Sequence, residues 1–159
     1  MSEPLAASAT ISIRPAVAGD LDFVRGCVIA GFEPYVARMG RPPMPMLADY
    51  AALIGEGHVY VAEFGGTPAG VLVILLEPEA VLVETLAVDG GLRSLGIGQR
   101  LLAFAEDTAR AEGKSRVRLY TNVLMEDNLV WYPRRGYVET GRSTYDGRHR
   151  VDFAKEVGG

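Results

Sequence analysis

Apolar residues recur along the 159-residue chain with two spacings, every second position in some stretches and every third or fourth in others. Residues 10–14 alternate and predict a short first strand. Leu21, Val24, Val28 and Phe32 keep a helical period, with Asp20 placed to cap its start. Three prolines within residues 40–45 exclude regular structure there, and residues 46–54 predict a short second helix. Residues 58–64 read as a strand and Gly65-Gly66 as a hairpin turn. Residues 71–76 and 81–88 are strands apolar enough to be covered on both faces. A glycine-rich loop at 90–98 leads into a helix over about 97–112. That helix puts Ile97, Leu101, Leu102, Ala105 and Ala109 on one face, and Gly113 stops it. Residues 116–121, 137–144 and 149–157 read as strands, 126–134 as a short helix, and Asp146-Gly147 as a second hairpin turn. The order β-α-α-β-β-β-α-β-α-β-β predicts an α/β (α+β) domain, a mixed sheet with helices on both faces. One domain is expected over residues 1–159, with 1–9 a flexible N-terminal segment.

Composition narrows the function classes. Hydrophobic residues make up 48% and charged residues 23%, which excludes a disordered or fibrous chain. The longest apolar run, residues 69–76, falls far short of the ~20 residues a membrane span needs. The start shows no signal peptide. Cys27 is the only cysteine, which fits a reducing, cytoplasmic compartment and leaves a zinc site of the usual Cys/His type without ligands. The net charge of −4 argues against a nucleic-acid partner. Its distribution says more. Residues 1–89 hold 4 basic and 11 acidic side chains, whereas 90–150 hold 11 basic and 7 acidic. The first part should favour cations and the second anions.

The chemistry concentrates in residues 81–102, where a strand feeds a loop, Arg93-Ser94-Leu95-Gly96-Ile97-Gly98, that opens a helix. Glycines let a ligand approach the main chain, because no Cβ stands in the way. The first amides of a helix have no partner inside it, and with the helix dipole they attract anions. Arg93 adds a fixed positive charge. These features describe a phosphate-binding turn. It is not a Walker A loop, since Ile97 stands where lysine is required. Nor is it a dinucleotide fingerprint, since Leu101 takes the place of the third glycine.

With these residues the chain resembles the GNAT acetyltransferase family. The family's acyl-CoA loop, Arg/Gln-x-x-Gly-x-Gly/Ala, is matched by Arg93, Gly96 and Gly98, and the Leu-x-Val that ends the preceding strand by Leu86-Ala87-Val88. A second family motif is matched by Trp131-Tyr132-Pro133-Arg134-Arg135-Gly136-Tyr137. The likeness runs from about residue 10 to 157. It implies a mostly antiparallel central sheet of about seven strands. It also implies acetyl-CoA as cosubstrate, with no metal. Main-chain groups of Leu86, Ala87 and Val88 would pair with the pantetheine arm, provided that this strand splays from the one at 116–121. Amides of Arg93, Ser94, Leu95, Gly96, Ile97, Gly98 and Gln99 would hold the pyrophosphate. Tyr132 would protonate the leaving thiolate; a phenol's ordinary pKa of about 10 lies above a thiol's at about 8.5. The family often has asparagine where Met125 stands; Asn128 or Asn122 is the substitute. Gly90 and Ser94 also depart from the family's usual residues, and neither change removes an amide donor.

Glu84 is the candidate general base, an acid in an otherwise apolar strand. Alternation would put it on the same face as Leu86 and Val88. In the resembling family the first two helices and their loop roof the acceptor, which here brings in Phe32, Tyr35 and Arg38. The expected reaction is direct attack by a primary amine of a small molecule. The alternatives are acetylation of peptide or protein N-termini and a non-catalytic acyl-CoA sensor. The acidic balance of residues 1–89 predicts a cationic or neutral acceptor, while Arg38 and Arg41 in the roof could hold a carboxylate. Homodimers are common in the resembling family, so a homodimer is a further expectation.

Overall fold

The structure, a computed structural model, describes residues 10–158, so the expected flexible segment 1–9 lies outside the described residues. Seven strands form one sheet: β1 (Ile11–Pro15), β2 (Val59–Phe64), β3 (Thr67–Leu76), β4 (Ala80–Val88), β5 (Arg116–Asn122), β6 (Val138–Tyr145) and β7 (Arg148–Glu156). Their spatial order is β1-β2-β3-β4-β5-β7-β6. Among the described residues only β4 and β5 run parallel. The two-residue turns form because both of their residues take positive φ, as such hairpins require. Gly65 and Gly66 have φ of 60° and 87°, Asp146 and Gly147 of 52° and 72°.

Five α-helices cover the two faces: α1 (Leu21–Phe32), α2 (Val36–Met39), α3 (Tyr50–Gly55), α4 (Ile97–Ala111) and α5 (Glu126–Trp131). The period read for α4 holds. Ile97, Leu101, Leu102, Ala105 and Ala109 are buried against Leu72, Val81, Val83, Val117, Leu119, Val151 and Phe153. On the other face Val24, Cys27 and Val28 of α1 and Tyr50 of α3 pack on Val59, Val61, Val71 and Val73. Burial in that layer pushes the Cys27 thiol up to about 12, which leaves it inert at neutral pH. No described helix is long and apolar enough to cross a membrane.

Several expected boundaries move for local reasons. The second helix begins at Tyr50 rather than residue 46, because Met44–Leu47 form a 3₁₀ turn and Asp49 caps α3 by accepting from the Ala52 amide. The helix at 126 ends at Trp131, and Pro133–Arg135 continue as a 3₁₀ turn. Asp20 does not cap α1. Its Oδ2 accepts from the Val17 amide at 2.7 Å, and both carboxylate oxygens take bonds from Arg14 at 2.8 and 3.0 Å.

The Arg14 partner holds the Asp20 carboxyl below the usual carboxylate range. A lowered native pKa means stability that is present above the unfolded value near 3.9 and lost as pH falls through the native one. Asp20→Asn should therefore cost about 1–3 kcal/mol at neutral pH, less than a fully buried pair because Arg14 is partly exposed. Denaturant titration of both proteins at pH 7 and below 4 measures this. Equal stability at pH 7 would contradict it.

Two irregularities in β4 set up the cleft. Val73 pairs with Thr85 but Ile74 with Val83, which leaves Glu84 as an extra, bulged residue. The bulge reverses the alternation: Val81 and Val83 share the α4-side core with Leu86 and Val88, while Ala87 packs on the α1 side. The expectation that Glu84 follows Leu86 and Val88 rests on unbroken alternation, and it fails here. The second irregularity is the short ladder to β5, which joins residues 80–83 to 116–119 and stops.

Candidate active site

Beyond residue 83 the two parallel strands diverge and open a cleft of about 620 Å³. That size suits a small ligand or cofactor arm. Leu86, Ala87 and Val88 lie along one wall, where the edge of β4 has lost its β5 partner. Tyr120, Thr121 and Asn122 line the opposite side.

At one end stands the N-terminus of α4. Asp89 accepts from the Gly91 amide and turns the chain into a 3₁₀ segment, Gly90–Leu95. Gly96 then takes φ +83° at the start of the helix, with open space where a Cβ would stand. A Cβ on Gly98 would meet the Trp131 ring and Val88 at 3.5 Å. Arg93, Ser94, Gly96, Gly98 and Gln99 line the cleft. Two expected loop residues present no side chain to it: Leu95 is 41% exposed and Ile97 lies in the core, so only their amides are available.

Tyr132 is 7% exposed, and its ring is held edge-on by Trp131 and Tyr137 at 5.0 and 5.9 Å between centroids. Its hydroxyl has no hydrogen-bond partner among the described residues. Burial pushes the phenol well above its ordinary value, so it carries its proton at any working pH. Pro133 does not displace this residue, because the Tyr132 carbonyl accepts from the amides of Arg135 and Tyr137. Asn128 donates to Thr121 Oγ1 at 3.0 Å, and Asn122 Oδ1 accepts from the Leu124 amide at 2.9 Å; both asparagines line the cleft.

Glu84 meets Tyr120, whose hydroxyl donates to Oε2 at 2.7 Å. Burial and this bond raise the Tyr120 phenol, so Tyr120 is the donor and the carboxylate keeps its other lone pairs free. Phe32 and Tyr35 of the roof segment line the cleft. Arg38 does not: its guanidinium lies 5.6 Å from the Tyr35 ring and donates to the Leu124 carbonyl at 3.4 Å. Arg41 is also engaged, donating to the Asp146 carbonyl and pairing with the Asp146 carboxylate at 3.7 Å. The Arg41 contacts tie the roof loop to the β6–β7 hairpin, and the Arg38 contact ties it to the segment between β5 and α5.

Four arginines, at 93, 135, 148 and 150, line the cleft against two acids, Glu84 and Asp127, so it suits a polyanion. Arg135, Arg148 and Arg150 escaped the sequence reading. Their signal was thin: Arg148 and Arg150 stand two apart beside a hairpin turn, like any solvated strand face.

Among known proteins, the mouse N-alpha-acetyltransferase 80 is 41% identical over 64 residues, which cover 40% of this chain and only 19% of that protein. In structure the chain is similar to the PaiA N-acetyltransferase of Thermoplasma acidophilum, solved with coenzyme A (TM-score 0.76, 15% identity, 92% of this chain and 99% of that one). It is also similar to an IAA acetyltransferase of Bacillus cereus (TM-score 0.67, 21% identity, 92% and 99%). The model of the Acetyltransferase (GNAT) family matches residues 31–137, which include the β4 strand, the glycine loop, Asn128 and Tyr132, and the chain therefore belongs to the GNAT acetyltransferase family.

Proposed function

We propose that the chain transfers the acetyl group of acetyl-CoA to the primary amine of a small molecule by direct attack. The observation that carries this reading is the divergence of β4 from β5. It places the helix N-terminus, a free strand edge, a buried phenol and a carboxylate in one cleft. Amides of residues 93–99 and Arg93 would take the pyrophosphate. The unpaired edge of Leu86, Ala87 and Val88 would take the pantetheine amides, with Asn128 at the opposite wall. Acetyl-CoA supplies the thioester carbon. Glu84 accepts, directly or through water, the proton that the amine gives up as its nitrogen bonds to that carbon. Tyr132 returns a proton to the sulfur as the carbon–sulfur bond breaks. Cys27, buried in another layer, takes no part.

The mouse relative is an N-alpha-acetyltransferase, so a peptide acceptor is the second reading. The Arg41–Asp146 and Arg38–Leu124 contacts, which bridge the roof loop to neighbouring segments, are what favours a small acceptor over an extended chain. Thiol release from acetyl-CoA across a panel of amines and short peptides, with the products weighed, tests this. Acceptor-dependent release with a singly acetylated small amine is expected. Release only with peptides, or none with any acceptor, would contradict it.

Glu84→Gln should lower kcat/KM about 10²-fold at neutral pH and leave CoA affinity in place, since the amide cannot take the proton. Steady-state kinetics beside a CoA titration measure both. Unchanged kcat/KM would assign the base elsewhere.

A further inference from the structure

The glycine loop and Arg93 account for one end of the cleft; the arginines at the other end face no phosphate site. Val151 and Phe153 of β7 point into the core beneath α4. Alternation then turns Arg148 and Arg150 to the opposite face, where β5 carries Tyr120. Arg148 is only 6% exposed, yet its Nε and Nη1 have no hydrogen-bond partner among the described residues. Arg150 Nε is also buried without one. Its guanidinium lies 3.9 Å from the centre of the Tyr120 ring and 5.2 Å from that of Tyr145. Of the two acids beside them in sequence, Asp146 is taken by Arg41, and Asp152 accepts from Ser143 Oγ at 3.3 Å; neither pairs with Arg148 or Arg150 among the described residues. A buried cation without a counter-charge is costly, and buried donors are nearly always satisfied. Both guanidinium groups line the cleft, so what satisfies them enters through it.

We infer that Arg148 and Arg150 form a carboxylate subsite, and that the acceptor is a free amino acid or similar amino-carboxylate. This rests on the proposed transfer reaction. Arg150 stacks on the same Tyr120 ring whose hydroxyl reaches Glu84, so a single ring separates the cation from the proposed base. An amine at Glu84 can thus belong to a compact molecule whose carboxylate meets the guanidinium forks, a geometry in which arginine binds through two bonds. The charge balance of residues 1–89 pointed to a cationic or neutral acceptor, but this wall is built from residues 120–150. Arg38 and Arg41, the carboxylate holders suggested by sequence, are occupied by Leu124 and Asp146.

The test uses the full chain, saturated with CoA for binding and with acetyl-CoA for turnover, and matched probes: leucine against isoamylamine, phenylalanine against phenethylamine, and glutamate, with peptides beginning in Asp or Glu as a separate arm. Calorimetry reads binding and thiol release reads turnover. At least one amino acid should bind tenfold or more tighter than any amine lacking the carboxylate. Arg148→Met, which keeps the volume, and Arg150→Gln should each raise its KM at least tenfold with little change in kcat, and should shift the KM of the matched amine far less. Melting curves show whether either variant folds; the other then carries the test. Binding without turnover would support the subsite while refuting the transfer reaction. Equal use of amines with and without the carboxylate would overturn the inference. So would a loss of discrimination between CoA and dephospho-CoA in the variants, which would assign the arginines to the nucleotide. Binding only of the acidic peptides would overturn the free amino acid as acceptor.

Discussion

Phenylalanine at position 132 is expected to lower turnover about 10²–10⁴-fold while leaving CoA affinity and stability nearly intact. The ring supplies the packing, against Trp131, Tyr137 and Phe153, and phenylalanine keeps that ring. The hydroxyl bonds to nothing among the described residues, so its removal orphans no partner. Its proton is used only as the carbon–sulfur bond breaks, and an interaction made only in the transition state appears in kcat rather than in ground-state binding. Single-turnover thiol release measures the effect. Turnover equal to that of the unaltered chain would show that water or another group protonates the thiolate.

Gly96→Val is expected to weaken CoA binding by at least about tenfold, the equivalent of roughly 1.4 kcal/mol. Gly96 holds φ +83° where the 3₁₀ turn becomes α4. A β-branched residue there must take the left-handed region at a cost of about 1–2 kcal/mol or move the loop. Moving the loop misaligns the amides of residues 93–99, and the new methyl groups stand in the open space through which a phosphate would approach. Gly98→Ala is the control. Gly98 needs no positive φ, and its Cβ would sit at ordinary contact distance from Trp131 and Val88, so its effect should be smaller. Calorimetric titration of CoA into both variants compares them. Full affinity in Gly96→Val would remove the loop from the binding site.

The sequence patterns carried the order of the strands and of every described helix but the one-turn α2, both hairpin turns and the buried face of α4, because these depend on local period and on glycine's access to positive φ. They also led to the glycine loop, and the family resemblance pointed to Tyr132. What was not legible depends on pairing between distant strands. The bulge at Glu84 exists only in register with Val73 and Ile74, and nothing in the local alternation announces it. The engagement of Asp20 by Arg14 and of Arg41 by Asp146 likewise needs the folded chain. Arg148 looks like an exposed strand residue in sequence, yet the folded chain leaves it only 6% exposed.

The most direct test of the central claim is a crystal structure of the chain with acetyl-CoA. The pyrophosphate should lie on the amides of residues 93–99 at the start of α4. The pantetheine should run along the free edge of β4 at Leu86–Val88, and the thioester should lie between Tyr132 and Glu84. A pyrophosphate bound anywhere else, or a thioester out of reach of Tyr132, would contradict the account.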